Sequence, residues 1–377
     1  MNIETIITGA WQRKAAWLWL LLPVSWLYAL LMVLRRQAYK AGIFASYRAP
    51  IPVMVIGNIT VGGSGKTPLI IALVHHLQQQ GIKVGVISRG YGGDSSQMPA
   101  LVHAESLPSI VGDEPCLIVN MTGAAMAVSP NRQQAIAILL DAHPDLQLII
   151  ADDGLQHYVL QRDVEWVVVD AARGFGNKQL LPTGFLREPI SRLKDANVIY
   201  HQKPDTCSID NKADPSTPLT GQLTMHLQPD NLELLWSSNN YIDDLEVVRA
   251  IAPKKGSQVH AVSGIGYPQR FFDTLNALGL EVISHPYPDH YDFSLDELLQ
   301  YADHPIIVTS KDAVKIRALI TQATIHQALS SKYDKLISRL WVLPVTAVLS
   351  DSCYEQLQQQ LQTLNIVGSK ESKKVNS

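Results

Sequence analysis

The sequence predicts an α/β protein with a second, smaller α/β domain and an apolar helix near its N-terminal end. Three observations support this fold class: a long uncharged apolar run, a strand pattern followed by a glycine-rich turn and a helix, and further short apolar runs that alternate with helical patterns. Such alternation is typical of parallel sheets covered by helices. With 377 residues, the chain is long enough for two or three domains.

The composition excludes several classes of protein. The formal net charge is −3, so the chain lacks the overall positive field that favours nucleic acid, and we expect no nucleic-acid partner. The three cysteines are widely spaced and form no CxxC pair. This spacing argues against a disulfide scaffold or a zinc site and fits a reducing compartment.

The apolar run covers residues 15–34, AAWLWLLLPVSWLYALLMVL, and carries no charge. A helix of this length is about 30 Å long, which matches the hydrocarbon core of a bilayer. Tryptophans in the run and basic residues on both sides suit a membrane interface, so we expect an N-terminal membrane-associated helix. Pro23 leaves open whether it spans the bilayer or lies in the interface, and a buried helix of a soluble core is the alternative.

A phosphate-binding loop is predicted between a strand and a helix. Residues 52–57, PVMVIG, read as a buried parallel strand, and a helical pattern follows up to Gly81. Between them stands TVGGSGKT, in which backbone N–H groups can converge on phosphate oxygens. The predicted nucleotide-binding residues are Thr60, Val61, Gly62, Gly63, Ser64, Gly65, Lys66 and Thr67.

This loop is a variant of the usual pattern, because Thr60 occupies the place of the first glycine. Lys66 is expected to reach the β- and γ-phosphates of ATP, and the Thr67 hydroxyl to bind Mg²⁺. A glycine-rich turn that binds no nucleotide is the simpler alternative. The strand and helix on its two sides favour nucleotide binding, and the fold class is therefore a P-loop NTPase-like α/β/α sandwich with a second, smaller α/β domain.

Two adjacent carboxylates, Asp152 and Asp153, follow the apolar run LIIA, residues 148–151. Neighbouring carboxylates repel each other, which is easiest to explain if a cation lies between them. P-loop enzymes hold Mg²⁺ with an acidic residue at the end of a neighbouring strand. We therefore predict Thr67, Asp152 and Asp153 as metal ligands, with a polar turn and helix cap as the alternative.

Three further motifs are ambiguous by themselves. Asp113 and Glu114 in GDEP could supply the base that a kinase needs, although spacing alone favours a capped helix start. SRGYGG, residues 88–93, is either a second strand-end loop near the site or an ordinary turn. NKAD, residues 211–214, matches a guanine-reading pattern, but it lies in a polar stretch without a preceding strand, so we interpret it as linker.

The motifs together resemble one family, the tetraacyldisaccharide 4′-kinases, which are the lipid A 4′-kinases of Gram-negative bacteria. The resemblance runs from the N-terminal helix to about residue 350 and rests on motifs in a fixed order: IGNITVGGSGKTP, SRGYGG, GDEP, ADDGLQH, LPTGFLREP, AVSGIGYPQRFFDTL, PYPDHYDFS and VTSKDAVK. It implies transfer of the γ-phosphate of ATP, with Mg²⁺, to the 4′-hydroxyl of an acylated glucosamine disaccharide 1-phosphate lipid, giving lipid IVA. It also implies two α/β/α domains joined by a short β linker, and a bacterial inner-membrane location with the catalytic domains on the cytoplasmic side.

The resemblance also assigns roles to individual residues. It implies Asp113 as the catalytic aspartate, His290 of the PDH motif as its partner from the second domain, and Arg187 of FLREP as a group that acts on substrate or phosphate charge. With Lys66, these are the predicted catalytic residues; Arg132 and His157 are weaker candidates. A histidine that orients an aspartate on another domain would tie catalysis to domain closure.

The predicted domain organisation follows the composition along the chain. The N-terminal helix covers 1–39, the kinase domain 40–205, the linker 206–216, the C-terminal α/β domain 217–350, and a C-terminal helix with a polar tail 351–377. Two residues depart from the family pattern, Ser310 in place of an acidic residue and Tyr267 in place of asparagine. We expect a monomer that meets its lipid at the inner membrane. The competing function is a membrane-associated P-loop ATPase or GTPase that acts as a switch or assembly factor.

Overall fold

The structure, a computed structural model, describes residues 7, 9–11, 13, 15–202, 222–236, 252–301, 303–325 and 331–367. These residues form two compact units. The first contains Met1–Ser88, Asn131–His226 and Ala347–Ser377, and the second contains Arg89–Pro130 and Leu227–Thr346. The predicted linker with its NKAD motif and the polar tail from residue 368 lie outside the described residues.

The strands and helices are numbered in chain order over the described residues. The strands are β1 (Val53–Gly57), β2 (Val84–Ser88), β3 (Ala100–Val102), β4 (Ala125–Val128), β5 (Leu148–Asp152), β6 (Val164–Asp170), β7 (Asn197–Gln202), β8 (Leu223–Pro229), β9 (Glu233–Leu234), β10 (Gln258–Ser263), β11 (Glu281–Pro286), β12 (Ile306–Thr309), β13 (Leu340–Leu343) and β14 (Val345–Leu349). The helices are α1 (Leu22–Lys40), α2 (Lys66–Gln79), α3 (Pro108–Val111), α4 (Asp113–Thr122), α5 (Arg132–Ala142), α6 (Gln269–Ala277), α7 (Leu295–Leu298), α8 (Ser310–Ile325), α9 (Ser331–Ile337) and α10 (Asp351–Thr363).

A parallel sheet forms the core of the first unit. Its strands follow the order β8-β7-β6-β1-β5-β2. Every residue of β1, β2 and β5 is buried, as expected for strands covered on both faces. The sequence pattern predicts strands near 53–57, 83–88, 147–152 and 164–170, and β1, β2, β5 and β6 match these ranges to within one residue at each end.

The register of this sheet places the phosphate loop beside the predicted acidic residues. Ile56 of β1 lies opposite Asp152 of β5, and Gly57 at the end of β1 lies opposite Val167 of β6. Because parallel strands end at the same edge, the loop after β1 and the carboxylates after β5 share the edge at which α/β proteins bind ligands.

The second unit contains a five-stranded sheet with the order β11-β10-β12-β13-β9, in which β9 is antiparallel. The antiparallel pair of β3 and β4 belongs to the same unit. The run at 340–346, predicted as one strand, forms two strands on either side of Pro344, because proline cannot donate a ladder hydrogen bond.

The two units divide the chain differently from the predicted domain ranges. Residues 89–130 are grouped with the C-terminal unit, and α10 is grouped with the first unit. The predicted domain boundaries stay a prediction.

The N-terminal segment Ala16–Lys40 is helical over 25 residues, with a mean hydropathy of 2.0 and 17% burial in its most apolar window. By length and composition it could cross a membrane. Pro23 lies in the first turn of α1, where proline is tolerated. Leu20, Trp26 and Leu31 are 80%, 65% and 57% exposed, so the alternative of a buried core helix is wrong.

Candidate functional site

The phosphate loop adopts a conformation that requires glycine at two positions. Gly62 and Gly65 have φ angles of 90° and 94°, in the left-handed region that disfavours side chains. A Cβ at Gly65 would also lie 2.8 Å from Met225 and 2.9 Å from His201. The α2 helix begins at Lys66, directly after this turn. Its free N–H groups and those of the loop form a suitable anion site.

Asn58, which the sequence analysis did not single out, holds the loop together. It is 1% exposed, and its side-chain amide donates to the carbonyl of Gly62 at 3.3 Å. Its side-chain oxygen accepts a hydrogen bond from Lys66 Nζ at 3.0 Å and another from Arg187. One buried amide therefore links the loop backbone to both cations.

The segment LPTGFLREP pairs with the phosphate loop and brings Arg187 to it. The backbone N–H of Arg187 donates to the Ile59 carbonyl at 2.7 Å, and that of Val61 donates to the Phe185 carbonyl at 2.9 Å. These backbone contacts fix the start of the Arg187 side chain beside the loop. The sequence supplied no signal for this pairing except the family resemblance.

Three predicted residues, Lys66, Asp153 and Arg187, meet in what we call the Arg187 cluster. Both terminal nitrogens of Arg187 donate to the Asp153 carboxylate, at 2.9 and 2.8 Å, and Lys66 Nζ lies 3.5 Å from it. Partial burial favours a higher pKa for Asp153, but the charges of Lys66 and Arg187 outweigh it and hold that pKa well below its usual range. Two cations around one carboxylate leave a positive site, which suits phosphate.

Asp152 lies at the end of β5 and is 2% exposed. The Ser88 hydroxyl donates to its carboxylate at 3.1 Å, and Arg132 donates to its backbone carbonyl at 3.1 Å. Arg132, itself 3% exposed, therefore supports the end of the strand. His157 lies in the turn after β5, where its backbone N–H donates to the carbonyl of Gly154.

The predicted metal ligands supply only oxygen donors: the Thr67 hydroxyl near the start of α2 and the carboxylates of Asp152 and Asp153. Among the described residues, no group of three or more His, Cys, Asp or Glu side chains could hold a metal ion. This donor set fits Mg²⁺, which is usually bound through one or two carboxylates while phosphate and water complete its coordination.

Asp113 is the first residue of α4 and is 2% exposed. Its Oδ1 accepts the backbone N–H of Glu114 at 2.8 Å, and its Oδ2 lies 3.0 Å from His290 Nδ1. Lys315 Nζ lies 3.5 Å from the same oxygen. The predicted pair is thus brought together. Both residues fall in the second unit, and the expectation that their contact depends on closure of two domains stays a prediction.

Burial alone would raise the pKa of Asp113. The hydrogen bond from His290 and the positive charges of Lys311 and Lys315 outweigh burial, so the pKa lies below its ordinary value. Asp113 is therefore a carboxylate at neutral pH. We call Asp113, His290, Lys311 and Lys315 the Asp113 cluster.

Lys311 and Lys315 are members of this cluster that the sequence analysis quoted in VTSKDAVK without assigning a role. They lie four residues apart in the first turns of α8, so they share one face of that helix. Lys311 Nζ lies 3.2 Å from His290 Nε2, and Lys315 Nζ donates to the carbonyl of His290 at 2.6 Å.

The SRGYGG motif borders the Asp113 cluster. The Tyr91 ring lies 4.7 Å from the His290 ring, centroid to centroid. A Cβ at Gly93 would lie 2.4 Å from the Ile110 carbonyl oxygen, so glycine lets this loop pack against the backbone that leads to Asp113. Of the two interpretations left open, the loop near the site fits better.

Comparison with known proteins decides the family. The family described as LpxK, tetraacyldisaccharide-1-P 4′-kinase, matches residues 17–362. The chain belongs to this family.

Relatives in this family resemble the chain over nearly its whole length. The tetraacyldisaccharide 4′-kinase of Psychrobacter cryohalolentis is 88% identical over 366 residues, which cover 97% of this chain and 98% of the relative. That of Psychrobacter arcticus is 77% identical over 383 aligned positions, covering 100% of both chains. That of Methylobacillus flagellatus is 41% identical over 340 residues, covering 90% of this chain and 95% of the relative.

A solved LpxK structure supports the fold. The crystal structure of LpxK from Aquifex aeolicus in complex with ATP covers 91% of this chain and 98% of its own, with a TM-score of 0.64 and 22% identity. The family resemblance and the α/β fold predicted from the sequence are therefore confirmed. This LpxK family member is an enzyme of the kinase class, with an alcohol group as phosphate acceptor.

Proposed function

We propose that this chain transfers the γ-phosphate of ATP to the 4′-hydroxyl of a tetraacylated glucosamine disaccharide 1-phosphate, giving lipid IVA. The observation that carries the proposal is the 3.0 Å contact between His290 and the buried carboxylate of Asp113. A switch protein needs a nucleotide site but has no use for an oriented base. A kinase that acts on a hydroxyl needs both.

In the first unit, the phosphate loop binds the nucleotide. Backbone N–H groups from Gly62 to Lys66 bind phosphate oxygens, and Lys66 contacts the β- and γ-phosphates. Thr67, Asp152 and Asp153 would hold Mg²⁺, which supplies positive charge to the phosphates when it is bound. Arg187, kept in place by Asp153 and Asn58, adds charge that favours the transferring phosphoryl group.

Asp113 of the second unit orients the acceptor hydroxyl and takes its proton. Its low pKa makes it a weak base, which suits phosphoryl transfer because the transition state is loose and the hydroxyl loses its proton late. The hydrogen bond from His290 fixes the direction of the carboxylate. A group in this role contributes on the order of 10² to 10⁴ to the rate.

The N-terminal helix has one polar face that contacts the first unit along its length. Ser25 donates to Thr183 Oγ1 at 2.8 Å, Tyr28 donates to the Arg187 carbonyl at 2.9 Å, and Arg36 pairs with Asp195 at 2.7 Å. The opposite face exposes apolar side chains throughout α1: Val24, Trp26, Leu27, Leu30, Leu31, Val33 and Leu34.

This arrangement supports interfacial rather than spanning attachment. A helix whose polar face packs from end to end on a charged domain cannot enter the hydrocarbon core, but its apolar face can lie in the interface. An enzyme attached in this way reaches the sugar headgroup while the acyl chains stay in the bilayer, where each CH₂ contributes about 0.8 kcal/mol. Because ATP is cytosolic, we place the enzyme on the cytoplasmic side of the inner membrane, and we expect a monomer.

The test is a transfer assay with the full chain in detergent micelles, γ-labelled ATP, Mg²⁺ and the acylated disaccharide 1-phosphate. We expect label in the lipid product in proportion to the disaccharide supplied. Steady release of inorganic phosphate without labelled lipid would instead support the P-loop ATPase or switch. GTP in place of ATP serves as the nucleotide control and is expected to transfer much less label.

A further inference from the structure

We propose that Lys311 is a positioning residue that holds His290 in the neutral form with its proton on Nδ1, so that the ring donates one fixed hydrogen bond to Asp113. The catalytic meaning of this inference rests on the proposed function. The protonation state of the ring does not, and it can be measured separately.

Lys311 Nζ has three acceptors around it. It lies 3.0 Å from Glu114 Oε1, 3.2 Å from Asp289 Oδ1 and 3.2 Å from His290 Nε2. An ammonium group has three donors and no acceptor. Each of its three N–H bonds therefore has a partner, and His290 Nε2 must present a lone pair.

Lys311 remains charged in this setting. Its side chain is 14% exposed, and this burial favours a lower pKa. The carboxylates of Glu114, Asp113 and Asp289 outweigh burial and raise the pKa of Lys311 above its ordinary value. The ammonium is thus present at any pH at which the enzyme works.

The other ring nitrogen of His290 then has a defined state. Its Nδ1 lies 3.0 Å from Asp113 Oδ2, and an ionised carboxylate can only accept, so Nδ1 carries the hydrogen. A ring with a hydrogen on Nδ1 and a lone pair on Nε2 is neutral. The imidazolium would direct a second N–H at the Lys311 ammonium, 3.2 Å away, and the two positive charges would repel.

The groups that face His290 act in opposite directions. Asp113 from α4 and Asp289 from its own loop favour the charged ring, whereas Lys311 and Lys315 from α8 disfavour it; Tyr91 covers one side of the ring. Removal of the Lys311 charge leaves two carboxylates next to the ring and a third, Glu114, without its partner. Lys311→Met is therefore expected to let His290 Nε2 bind a hydrogen.

This state of His290 determines what the pair does in the reaction. A neutral ring that donates through Nδ1 orients Asp113 without taking the substrate proton, so that proton stays on the Asp113 carboxylate. A charged ring would stabilise the ionised carboxylate further and make it a poorer base. The charge of Lys311 itself lowers the pKa of Asp113, but by keeping the ring neutral Lys311 prevents the further loss of basicity that an imidazolium in direct contact would cause.

The direct test is nitrogen NMR of the full chain in micelles, labelled with ¹⁵N-histidine, with His290→Gln used to assign the signal. In the wild type we expect a protonated Nδ1 and a lone pair on Nε2. In Lys311→Met at the same pH we expect a hydrogen on Nε2 as well, and in Lys311→Arg the wild-type pattern. A wild-type spectrum with a hydrogen on Nε2, or a Lys311→Met spectrum identical to it, would overturn the proposal. The wild-type spectrum decides the tautomer even if the methionine variant does not fold.

The second readout is the pH profile of phosphate transfer. We expect Lys311→Met to lose about tenfold in rate at pH 6 but much less at pH 8, since a pKa change of one unit corresponds to a tenfold change in the protonation ratio. An equal loss at both pH values would assign Lys311 a purely structural role and overturn the inference. If lipid transfer fails in the wild type while the NMR result holds, the proposed function is wrong and the assignment of the tautomer stands.

Discussion

Arg187 binds Asp153 through both of its terminal nitrogens, at 2.9 and 2.8 Å. The same side chain donates to the backbone carbonyl of Asn58 at 3.3 Å, directly before the phosphate loop. One guanidinium thus ties the acidic end of β5 to the residue that orders the loop. The Arg187 cluster is therefore a single charged unit rather than three separate side chains.

Replacement of Arg187 by lysine tests this geometry. An ammonium cannot form two parallel bonds to one carboxylate, so we expect Arg187→Lys to lower the transfer rate by about 10- to 100-fold. Stopped-flow transfer and nucleotide titration measure the rate and the ATP affinity. The control is Arg48→Lys, which affects an exposed pair with Asp163 in the same unit. Equal effects of the two substitutions would contradict a special role for Arg187.

The hydroxyl of Tyr28 links the N-terminal helix to the Arg187 carbonyl at 2.9 Å, and Gln156 donates to the same carbonyl at 3.2 Å. We expect Tyr28→Phe to cost about 1 kcal/mol in the free energy of unfolding and to slow transfer severalfold, because the backbone of Arg187 loses a support. Vesicle binding should stay unchanged. Tyr39→Phe is the matched control, since the Tyr39 ring packs on Phe44 and Tyr158. Loss of membrane binding in Tyr28→Phe would show that the helix, and not the loop, depends on this contact.

The exposed face of α1 provides a test of interfacial attachment. Leu27 and Leu31 are each 57% exposed and lie one turn apart. Glutamate at both positions is expected to weaken partition into vesicles by on the order of 100-fold, because two leucine side chains lose their apolar environment. Gln37→Glu on the same helix controls for added charge. Sedimentation with vesicles gives the partition, and a double variant that still resists alkaline extraction would indicate a spanning helix.

Asp312 makes the stability of the second unit depend on pH. It is 2% exposed and accepts hydrogen bonds from the Gly264 N–H and the Thr309 hydroxyl. Burial raises the pKa of Asp312 to about 6, from an ordinary 3.8. Between these values the folded protein keeps a proton that the unfolded chain has lost. The contribution of Asp312 to the free energy of unfolding therefore falls as pH rises through this window, by about 3 kcal/mol, and stays low above pH 6.

We expect Asp312→Asn to remove this decrease in the free energy of unfolding with rising pH. Urea unfolding at several values between pH 4 and 7.5 measures it as the difference between wild type and variant. Asp273→Asn, at an exposed position of α6, is the control and should keep the wild-type pH dependence. If the free energy of unfolding changes with pH in the same way in wild type and Asp312→Asn, the raised pKa of Asp312 is ruled out.

The phosphate loop and the parallel strands could be predicted because their signals are local. A β-branched run, three glycines and Gly-Lys-Thr stand within one stretch of sequence, and the left-handed angles of Gly62 and Gly65 follow from it. The adjacent carboxylates Asp152 and Asp153 likewise marked the end of β5 by a local pattern. The same local reasoning predicted one strand at 340–346, where the structure has β13 and β14. It did not treat Pro344 as a break between two strands.

The Asp113 cluster could not be derived in this way. Asp113 and His290 are 177 positions apart, and their pairing was expected only from the family resemblance. Lys311 belongs to the motif VTSKDAVK, but its contact with His290 Nε2 depends on how the start of α8 packs beside the loop after β11. The role of Asn58 was missed for a different reason: an asparagine after a strand is common in turns, and only the contacts with Lys66 and Arg187 distinguish it.

We propose that Asp113 acts on the acceptor hydroxyl, whereas the phosphate loop binds the nucleotide. Single-turnover transfer from γ-labelled ATP to the acylated disaccharide, measured with Asp113→Asn beside a titration of ATP affinity, tests it most directly. We predict transfer that is slower by about 10² to 10⁴, with the dissociation constant for ATP within about twofold of wild type because the phosphate loop supplies its contacts. Transfer at near wild-type rate, or loss of ATP binding, would contradict this division of roles.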